Sequence, residues 1–143
     1  MPGDGPDSLV VDASVAAKRW FEEPDSAVAR DALARAERLV APDFLVIEMA
    51  SIAAKRVRRG STTSEQAELA VRGVAMLIDE LEPSTPLAPR AYELARDHGI
   101  SAYDGLYLAL AEARGAPVLT ADAKLVERAR AAGLGDLVQP LVP

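Results

Sequence analysis

Cysteine is absent from this chain of 143 residues, and histidine occurs once, as His98. The absence of cysteine excludes disulfides, thiolate metal sites and cysteine nucleophiles, and a single histidine excludes metal sites built from several imidazoles. No apolar run approaches the roughly 20 residues of a membrane-spanning helix. The opening MPGDGPDS contains two acids and no basic residue, so it does not resemble a secretory signal. We therefore expect a cytoplasmic protein with no membrane segment.

The composition is that of a globular protein with a real hydrophobic core. Half of the residues are hydrophobic and 27% are charged, which is ordinary usage for a folded domain. A chain of this length falls within the range of about 100–200 residues that is typical of one domain. We expect a flexible segment over residues 1–7 and a single domain over residues 8–143.

Short apolar runs alternate with helical segments along the chain. The runs predict buried strands at residues 9–11, 39–41, 117–120 and near 137–138. Capping residues, glycines and prolines predict helices over residues 13–21, 26–38, 43–59, 62–81, 88–99, 101–115 and 123–133. Strands of this kind, separated by helices, indicate a short, mostly parallel sheet covered on both faces. The predicted fold is a three-layer α/β domain with about seven helices.

Four acidic residues lie within apolar segments instead of on polar faces. They are Asp12 in LVVDASVAA, Glu48 in FLVIEMASIAA, Asp104 in AYDGLYLALA and Asp122 in VLTADAKL. A buried carboxylate without a partner costs several kcal/mol, so such a group is paired, protonated or bound to a metal. Asp12 and Asp122 follow predicted parallel strands, at the sheet edge where α/β proteins bind ligands.

Structural roles for these acids remain open at this stage. Asp12 and Asp122 are suitable N-caps for the helices that follow them, and Asp104 is three residues after Ser101 in a variant capping box. Glu48 is expected in the middle of its helix, where the structural alternative is a buried pair with an arginine. If the four acids act together, a set of carboxylates without histidine or cysteine suits Mg²⁺ or Mn²⁺.

The charge of the chain is acidic, with 16 basic and 22 acidic residues giving −6. A protein that binds nucleic acid by charge alone is expected to be basic. The densest basic cluster is Lys55, Arg56, Arg58 and Arg59, near the end of the helix that carries Glu48. These side chains either complement the negative end of that helix or contact the phosphates of a nucleic acid.

Taken together, the segments LVVDASVAAKRWF, APDFLVIEMASIAAKRVRRG and ISAYDGLYLALAEARGAPVLTADAKL resemble the PIN-domain ribonucleases. The similarity is strongest to the VapC-type toxins of bacterial toxin–antitoxin pairs, and it extends from about Leu9 to Leu137. YDGLYLALAE followed by LTAD is the most specific part. The resemblance implies a PIN-like fold and a Mg²⁺- or Mn²⁺-dependent endoribonuclease whose metal site is formed by Asp12, Glu48, Asp104 and Asp122.

The resemblance also implies supporting roles for nearby hydroxyl groups. Thr120 matches the threonine of the family's T-x-D motif, and Ser14 matches a small hydroxyl residue two places after the first aspartate. Ser51 is a departure, because the family commonly has asparagine three residues after the glutamate. A serine there still forms hydrogen bonds to a ligand or to water, so the departure affects the surroundings of the site more than the expected activity.

The implied partners are an RNA substrate, a cognate antitoxin protein and a second copy of the chain in a homodimer. Trp20 and Phe21 are candidates for the antitoxin surface, with core packing as the alternative for Trp20. Tyr103 and Tyr107 are spaced i, i+4 on one helix, where packing and base stacking are both open. His98, just before Gly99, is interpreted as a cation at a helix end.

Two other functions are weighed against a ribonuclease. Aspartyl-phosphate phosphatases of the haloacid dehalogenase type also have an aspartate after the first strand, but they need D-x-D, and Ser14 occupies the second position here. A catalytically weak PIN-like scaffold that binds RNA or a protein without cleaving it is the main alternative. A metal-dependent cleavage assay separates that scaffold from an enzyme.

Overall fold

A computed structural model describes residues 8–142 of the protein. These residues contain a five-stranded sheet in which all neighbouring strands are parallel. The strands are β1 (Ser8–Val11), β2 (Arg38–Pro42), β3 (Glu80–Glu82), β4 (Val118–Thr120) and β5 (Val138–Pro140). Their order across the sheet is β3-β2-β1-β4-β5. The prediction that residues 1–7 are flexible lies outside the described residues.

Seven α-helices connect and cover the strands within residues 8–142. They are α1 (Ala13–Ala16), α2 (Ser26–Arg35), α3 (Leu45–Arg58), α4 (Ser64–Leu77), α5 (Ala88–His98), α6 (Ala102–Arg114) and α7 (Ala123–Ala131). Short 3₁₀ turns lie at Ala17–Arg19, Thr85–Leu87 and Gly135–Leu137. The three-layer α/β class, the parallel sheet and the number of helices are confirmed.

Successive residues of the central strands point into two separate cores. In β1, Leu9 and Val11 pack with α1, α2, α3 and α4 on one face of the sheet. Val10 packs with Val118 and with residues of α5, α6 and α7 on the other face. Because successive strand side chains point to opposite faces, a strand buried on both faces must be apolar throughout. The run Leu9-Val10-Val11 meets this requirement.

Several predicted boundaries differ from those in the structure. The helix expected to continue to residue 38 ends at Arg35, and the one expected to continue to residue 81 ends at Leu77. In both cases the following residues pair with the sheet, as β2 and β3. The strand β3 was missed because its sequence, Glu-Leu-Glu, has no apolar run and its three residues are only half-buried.

No helix within residues 8–142 is both long enough and apolar enough to cross a membrane.

Candidate active site

The strand order changes direction at β1, which places the candidate site. The chain passes from β1 to β2 and β3 on one side, then returns to β4 and β5 on the other side of β1. In open α/β sheets, ligands bind at the carboxyl ends of the strands where the order reverses. Asp12 directly follows β1, and Asp122 is two residues beyond β4. Both acids therefore lie at the edge where a ligand is expected.

Asp12 is buried, with only 7% of its surface exposed. Its Oδ1 accepts hydrogen bonds from the Ser14 hydroxyl at 2.6 Å and from the backbone N–H of Val15 at 3.1 Å. Asp12 is thus the N-cap of α1. Burial raises the pKa of Asp12, the negative charge of Asp104 adds to this, and hydrogen bonds from Ser14 and Thr120 act in the opposite direction.

The two hydroxyl residues join the loops that carry Asp12 and Asp122. The Ser14 hydroxyl also accepts a hydrogen bond from the backbone N–H of Ala121 at 3.0 Å. Thr120 is buried, and its hydroxyl accepts from the backbone N–H of Asp122 at 3.0 Å. Each hydroxyl interacts with Asp12 and with the segment after β4. These contacts fix the position of the loop after β1 relative to the loop after β4.

Glu48 is half-buried in the first turn of α3, not in the middle of its helix as predicted. The helix begins later than expected because residues 43–44 form a turn after β2. The partner of Glu48 is not an arginine: the Tyr107 hydroxyl donates a hydrogen bond to Glu48 Oε1. Burial raises the pKa of Glu48, the bond from Tyr107 lowers it, and Asp12 and Asp104 raise it further.

Asp104 lies in the first turn of α6 and is half-buried. Ser101 caps this helix by accepting a hydrogen bond from the backbone N–H of Asp104 at 3.0 Å. The cap thus uses the main chain of residue 104. Burial raises the pKa of the Asp104 carboxyl and the charge of Asp122 raises it further, whereas a hydrogen bond from Ser101 and the charge of Arg128 lower it.

Asp122 is exposed, which corrects the prediction that all four acids are embedded in the core. It is the N-cap of α7, and its Oδ1 accepts from the backbone N–H groups of Lys124 at 2.9 Å and Leu125 at 3.3 Å. The apolar segment around it was misleading because Leu119 and Leu125 turn into the cores on either side. Asp122 lies between these two leucines in the chain and turns towards solvent beyond the end of β4.

Electrostatic interactions link the four carboxylates, because Asp12 interacts with Asp104 and Glu48, and Asp104 interacts with Glu48 and Asp122. Within residues 8–142, no three Asp, Glu or His side chains converge into a group that would hold a metal ion as they stand. The donor chemistry nevertheless fits a hard divalent cation, because it consists of carboxylate oxygens that repel one another, and three of the four carboxylates are partly removed from water.

The chain is similar to proteins of a known family. Residues 9–131 match the family model of the PIN domain. The chain belongs to the PIN-domain family. Ribonuclease VapC3 from Pyrobaculum aerophilum is 33% identical over 122 residues, which cover 84% of this chain and 93% of the relative. Ribonuclease VapC1 from Mycobacterium tuberculosis is 33% identical over 120 residues, which cover 83% of this chain and 89% of the relative.

A third relative and one solved structure extend the comparison. Ribonuclease VapC12 from Mycobacterium tuberculosis is 30% identical over 119 residues, which cover 83% of this chain and 90% of the relative. The crystal structure of PAE2754 from Pyrobaculum aerophilum superposes with a TM-score of 0.68 at 20% identity, covering 94% of this chain and 89% of that one. The relatives confirm the resemblance to VapC-type proteins, and the solved structure supports the fold alone.

The remaining predicted site residues lie along α3 of this PIN domain. Ser51 is exposed one turn after Glu48. Lys55, Arg58 and Arg59 are also exposed at the end of the helix. Arg56 differs, because its guanidinium binds Glu23 at 3.0 Å and lies 4.7 Å from the ring centre of Phe21. Arg56 therefore already has a structural role, because it joins α3 to the segment that contains Phe21 and Glu23.

The aromatic residues after α1 pack mainly within the protein. Phe21 is buried, which corrects its prediction as a surface residue. Trp20 is half-buried against α4, where a Cβ on Gly73 would lie 2.6 Å from the indole. Gln66 Nε2 donates to the Trp20 carbonyl oxygen at 2.7 Å. His98 is exposed at the end of α5, consistent with the helix-end interpretation.

Tyr107 is the site residue whose role sequence reasoning missed. It is buried, which agrees with packing, but its hydroxyl also donates a hydrogen bond to Glu48 in α3. Burial raises the pKa of the Tyr107 hydroxyl, as do the charges of Glu48, Asp12 and Asp104. A signal was present in the sequence, because Tyr107 is three residues after Asp104 and so lies on the same helix face.

Proposed function

We propose that this chain is a Mg²⁺- or Mn²⁺-dependent endoribonuclease that acts as the toxin of a toxin–antitoxin pair. One observation carries the proposal: acids from four separate segments lie near the sheet edge where the strand order reverses and interact electrostatically with one another. These are Asp12, Glu48, Asp104 and Asp122. Relatives named as ribonucleases support RNA as the substrate and hydrolysis of its phosphodiester bonds.

In this proposal, the four carboxylates hold the cation. A divalent ion of this kind, when bound, activates a water molecule and stabilises negative charge on a phosphoryl group. Ser14 and Thr120 favour the ionised form of Asp12 and fix its orientation by hydrogen bonds. Tyr107 does the same for Glu48. These contacts prepare two carboxylates for a cation before substrate arrives.

RNA binding in an acidic protein needs a local source of positive charge. We propose that Lys55, Arg56, Arg58 and Arg59 contact backbone phosphates, with Arg56 shared with Glu23. At about 1.5 Å per residue, the cluster is roughly 10–16 Å along α3 from Glu48. Phosphates a few nucleotides from the cut bond are within that range. The alternative is that the cluster only stabilises the end of α3.

We also propose that residues 8–143 act as one nuclease domain in the cytoplasm, as a homodimer that a cognate antitoxin inhibits. Exposed apolar side chains on α3 and α4 support a partner surface. Ile47 is 64% exposed, Leu69 is 59% exposed and Met76 is 87% exposed. Leu69 and Met76 are seven residues apart, about two turns, and therefore share one face of α4. Exposed apolar surface of this kind is typical of protein-binding sites.

The decisive experiment is cleavage of single-stranded RNA in Mg²⁺, in Mn²⁺ and in EDTA. We expect cleavage only with metal, and its loss in Asp12→Asn and Asp104→Asn. Asp136→Asn is the matched control, because Asp136 is an exposed acid that precedes β5 and so lies at the opposite edge of the sheet. A wild type that binds RNA but never cleaves it would favour the scaffold.

The role of the basic cluster is tested by its salt dependence. Reversing Arg58 and Arg59 to glutamate is expected to weaken RNA binding and flatten its salt dependence, since fewer counterions are released. Arg35 and Arg96 are the matched control pair, because both lie in the last turn of other helices. An unchanged salt slope on reversing Arg58 and Arg59 would assign the cluster to helix-end stabilisation or to the antitoxin interface.

A further inference from the structure

Two aromatic rings are stacked at the surface beside the candidate active site. The rings of Phe44 and Tyr103 have centroids 5.1 Å apart and planes inclined by 11°. Phe44 is half-buried, whereas Tyr103 is 61% exposed. One face of the tyrosine ring is therefore supported by Phe44, and the rest of the ring is open to solvent.

The chain positions of the rings tie the stack to the acids. Tyr103 directly precedes Asp104 in α6, and Phe44 is the N-cap residue of α3, four residues before Glu48. Four residues are about one helical turn, or roughly 6 Å along the axis. The stack thus bridges the starts of the two helices that carry Glu48 and Asp104.

Core packing does not account for the exposure of Tyr103. Tyr107, one turn further along α6, shows what a packed tyrosine looks like here: it is buried and its hydroxyl is bonded to Glu48. A large aromatic surface left open next to candidate metal-binding acids is a feature of binding sites. The chemistry of these neighbouring acids indicates what it binds.

We propose that the Phe44–Tyr103 stack is a platform for an unpaired base of the RNA, next to the phosphate that is cut. The inference rests on the proposed ribonuclease function and adds a substrate-positioning residue, Tyr103. The acids repel phosphate, so the nucleotide needs a contact that does not depend on its charge. The flat, neutral face of a base supplies one by stacking on the open face of Tyr103.

The platform predicts single-stranded RNA as the substrate, with little dependence on base identity. Bases paired within a duplex are already stacked on their neighbours, so a strand must be unpaired to offer a face. Stacking uses the π-face that every base has, and it involves no hydrogen bond to the base edge. By analogy with other stacking platforms, loss of the ring is expected to weaken binding roughly 5- to 150-fold.

The test measures binding of a short RNA by proteins that all carry Asp104→Asn, so that the strand stays intact. The RNA contains 2-aminopurine at each position in turn, because stacking quenches the fluorescence of that base. At one position we expect quenching with Tyr103 and with Tyr103→Phe, and neither quenching nor full affinity with Tyr103→Leu. An RNA that is abasic at that position should bind Tyr103 and Tyr103→Leu equally well.

Melting temperatures without RNA establish that each variant is folded. If Tyr103→Leu does not fold, Phe44→Leu removes the supporting ring instead and carries the same expectation. Unchanged affinity and quenching in a folded Leu variant would overturn the platform. Metal-dependent cleavage by the wild type would still support the ribonuclease function in that case. Loss of binding to purified antitoxin, with RNA binding intact, would likewise overturn the platform. A wild type that never cleaves RNA would refute the underlying function.

Discussion

Replacing Tyr107 by phenylalanine removes one hydroxyl from the candidate site and leaves the ring in place. That hydroxyl donates to Glu48 Oε1, joining α6 to the first turn of α3. Tyr107 is only 3% exposed, so the phenylalanine ring should occupy the same space without a cavity. The substitution therefore isolates the hydrogen bond from the packing.

The expected loss of stability follows from the charge and burial of Glu48. A hydrogen bond to a charged group contributes about 1.5–3 kcal/mol. Glu48 is only half-buried, so water replaces part of the lost bond and the lower end of this range is expected. A chain of this size has an unfolding entropy of about 0.3 kcal/mol/K at its midpoint. The melting temperature should thus fall by about 5 °C.

The assay is thermal and urea unfolding in EDTA, and the matched control is Tyr103→Phe. The control removes the same atom from the same helix, but from a side chain that is 61% exposed, so it should leave the melting temperature nearly unchanged. The pH dependence adds a second readout. Because the Tyr107 bond lowers the pKa of Glu48, the deficit of Tyr107→Phe should be largest when Glu48 is ionised and should shrink as acid protonates it.

Equal melting temperatures for Tyr107→Phe and Tyr103→Phe would refute this reasoning. So would a deficit that does not change with pH, because it would place the effect in packing instead of in the bond to the carboxylate.

Three further outcomes are expected. Burial raises the pKa values of Asp12, Glu48 and Asp104 above their ordinary 3.8 to 4.5. Because the folded state then binds more protons than the unfolded state, the free energy of unfolding in EDTA should fall as pH rises through and above that range. Urea titrations at several pH values measure this change. Asp104→Asn keeps the backbone N–H that Ser101 caps, so in EDTA it should be neutral or stabilising, and a clear loss in urea unfolding would instead assign the carboxylate a structural role. Gly105→Ala would place a Cβ 2.7 Å from the carbonyl oxygen of Ala91 in α5, so it should cost about 1–3 kcal/mol in urea unfolding, and a fully stable variant would contradict the close α5–α6 packing.

The four candidate acids were predicted from the sequence because each stands in a segment with local apolar character. The surroundings of the individual acids were not all predicted correctly, since Asp122 is exposed and Glu48 lies at a helix start. A local pattern shows that a segment is buried, but it does not show which way one side chain turns where a strand or helix begins. That depends on the bounds of the element, which tertiary pairing sets.

The edge strand β3 illustrates the same limit. Its residues Glu80–Glu82 have little intrinsic reason to form a strand, and they do so because they pair with Val40, Ala41 and Pro42 of β2. Its two glutamates then find a partner in Arg114 at the end of α6. None of these contacts is local, so neither the strand nor its ion pairs had a signal in the sequence.

By itself, the sequence determined the alternation of buried strands and helices, the parallel sheet and the set of acids near its carboxyl edge. These follow from local composition and periodicity, which burial on both sheet faces imposes directly. Only the tertiary structure decided that Tyr107 bonds to Glu48, 59 residues away, and that Phe44 stacks on Tyr103. Both contacts join α3, which follows β2, to α6, which precedes β4. The partners come together because the sheet order places β2 and β4 on either side of β1.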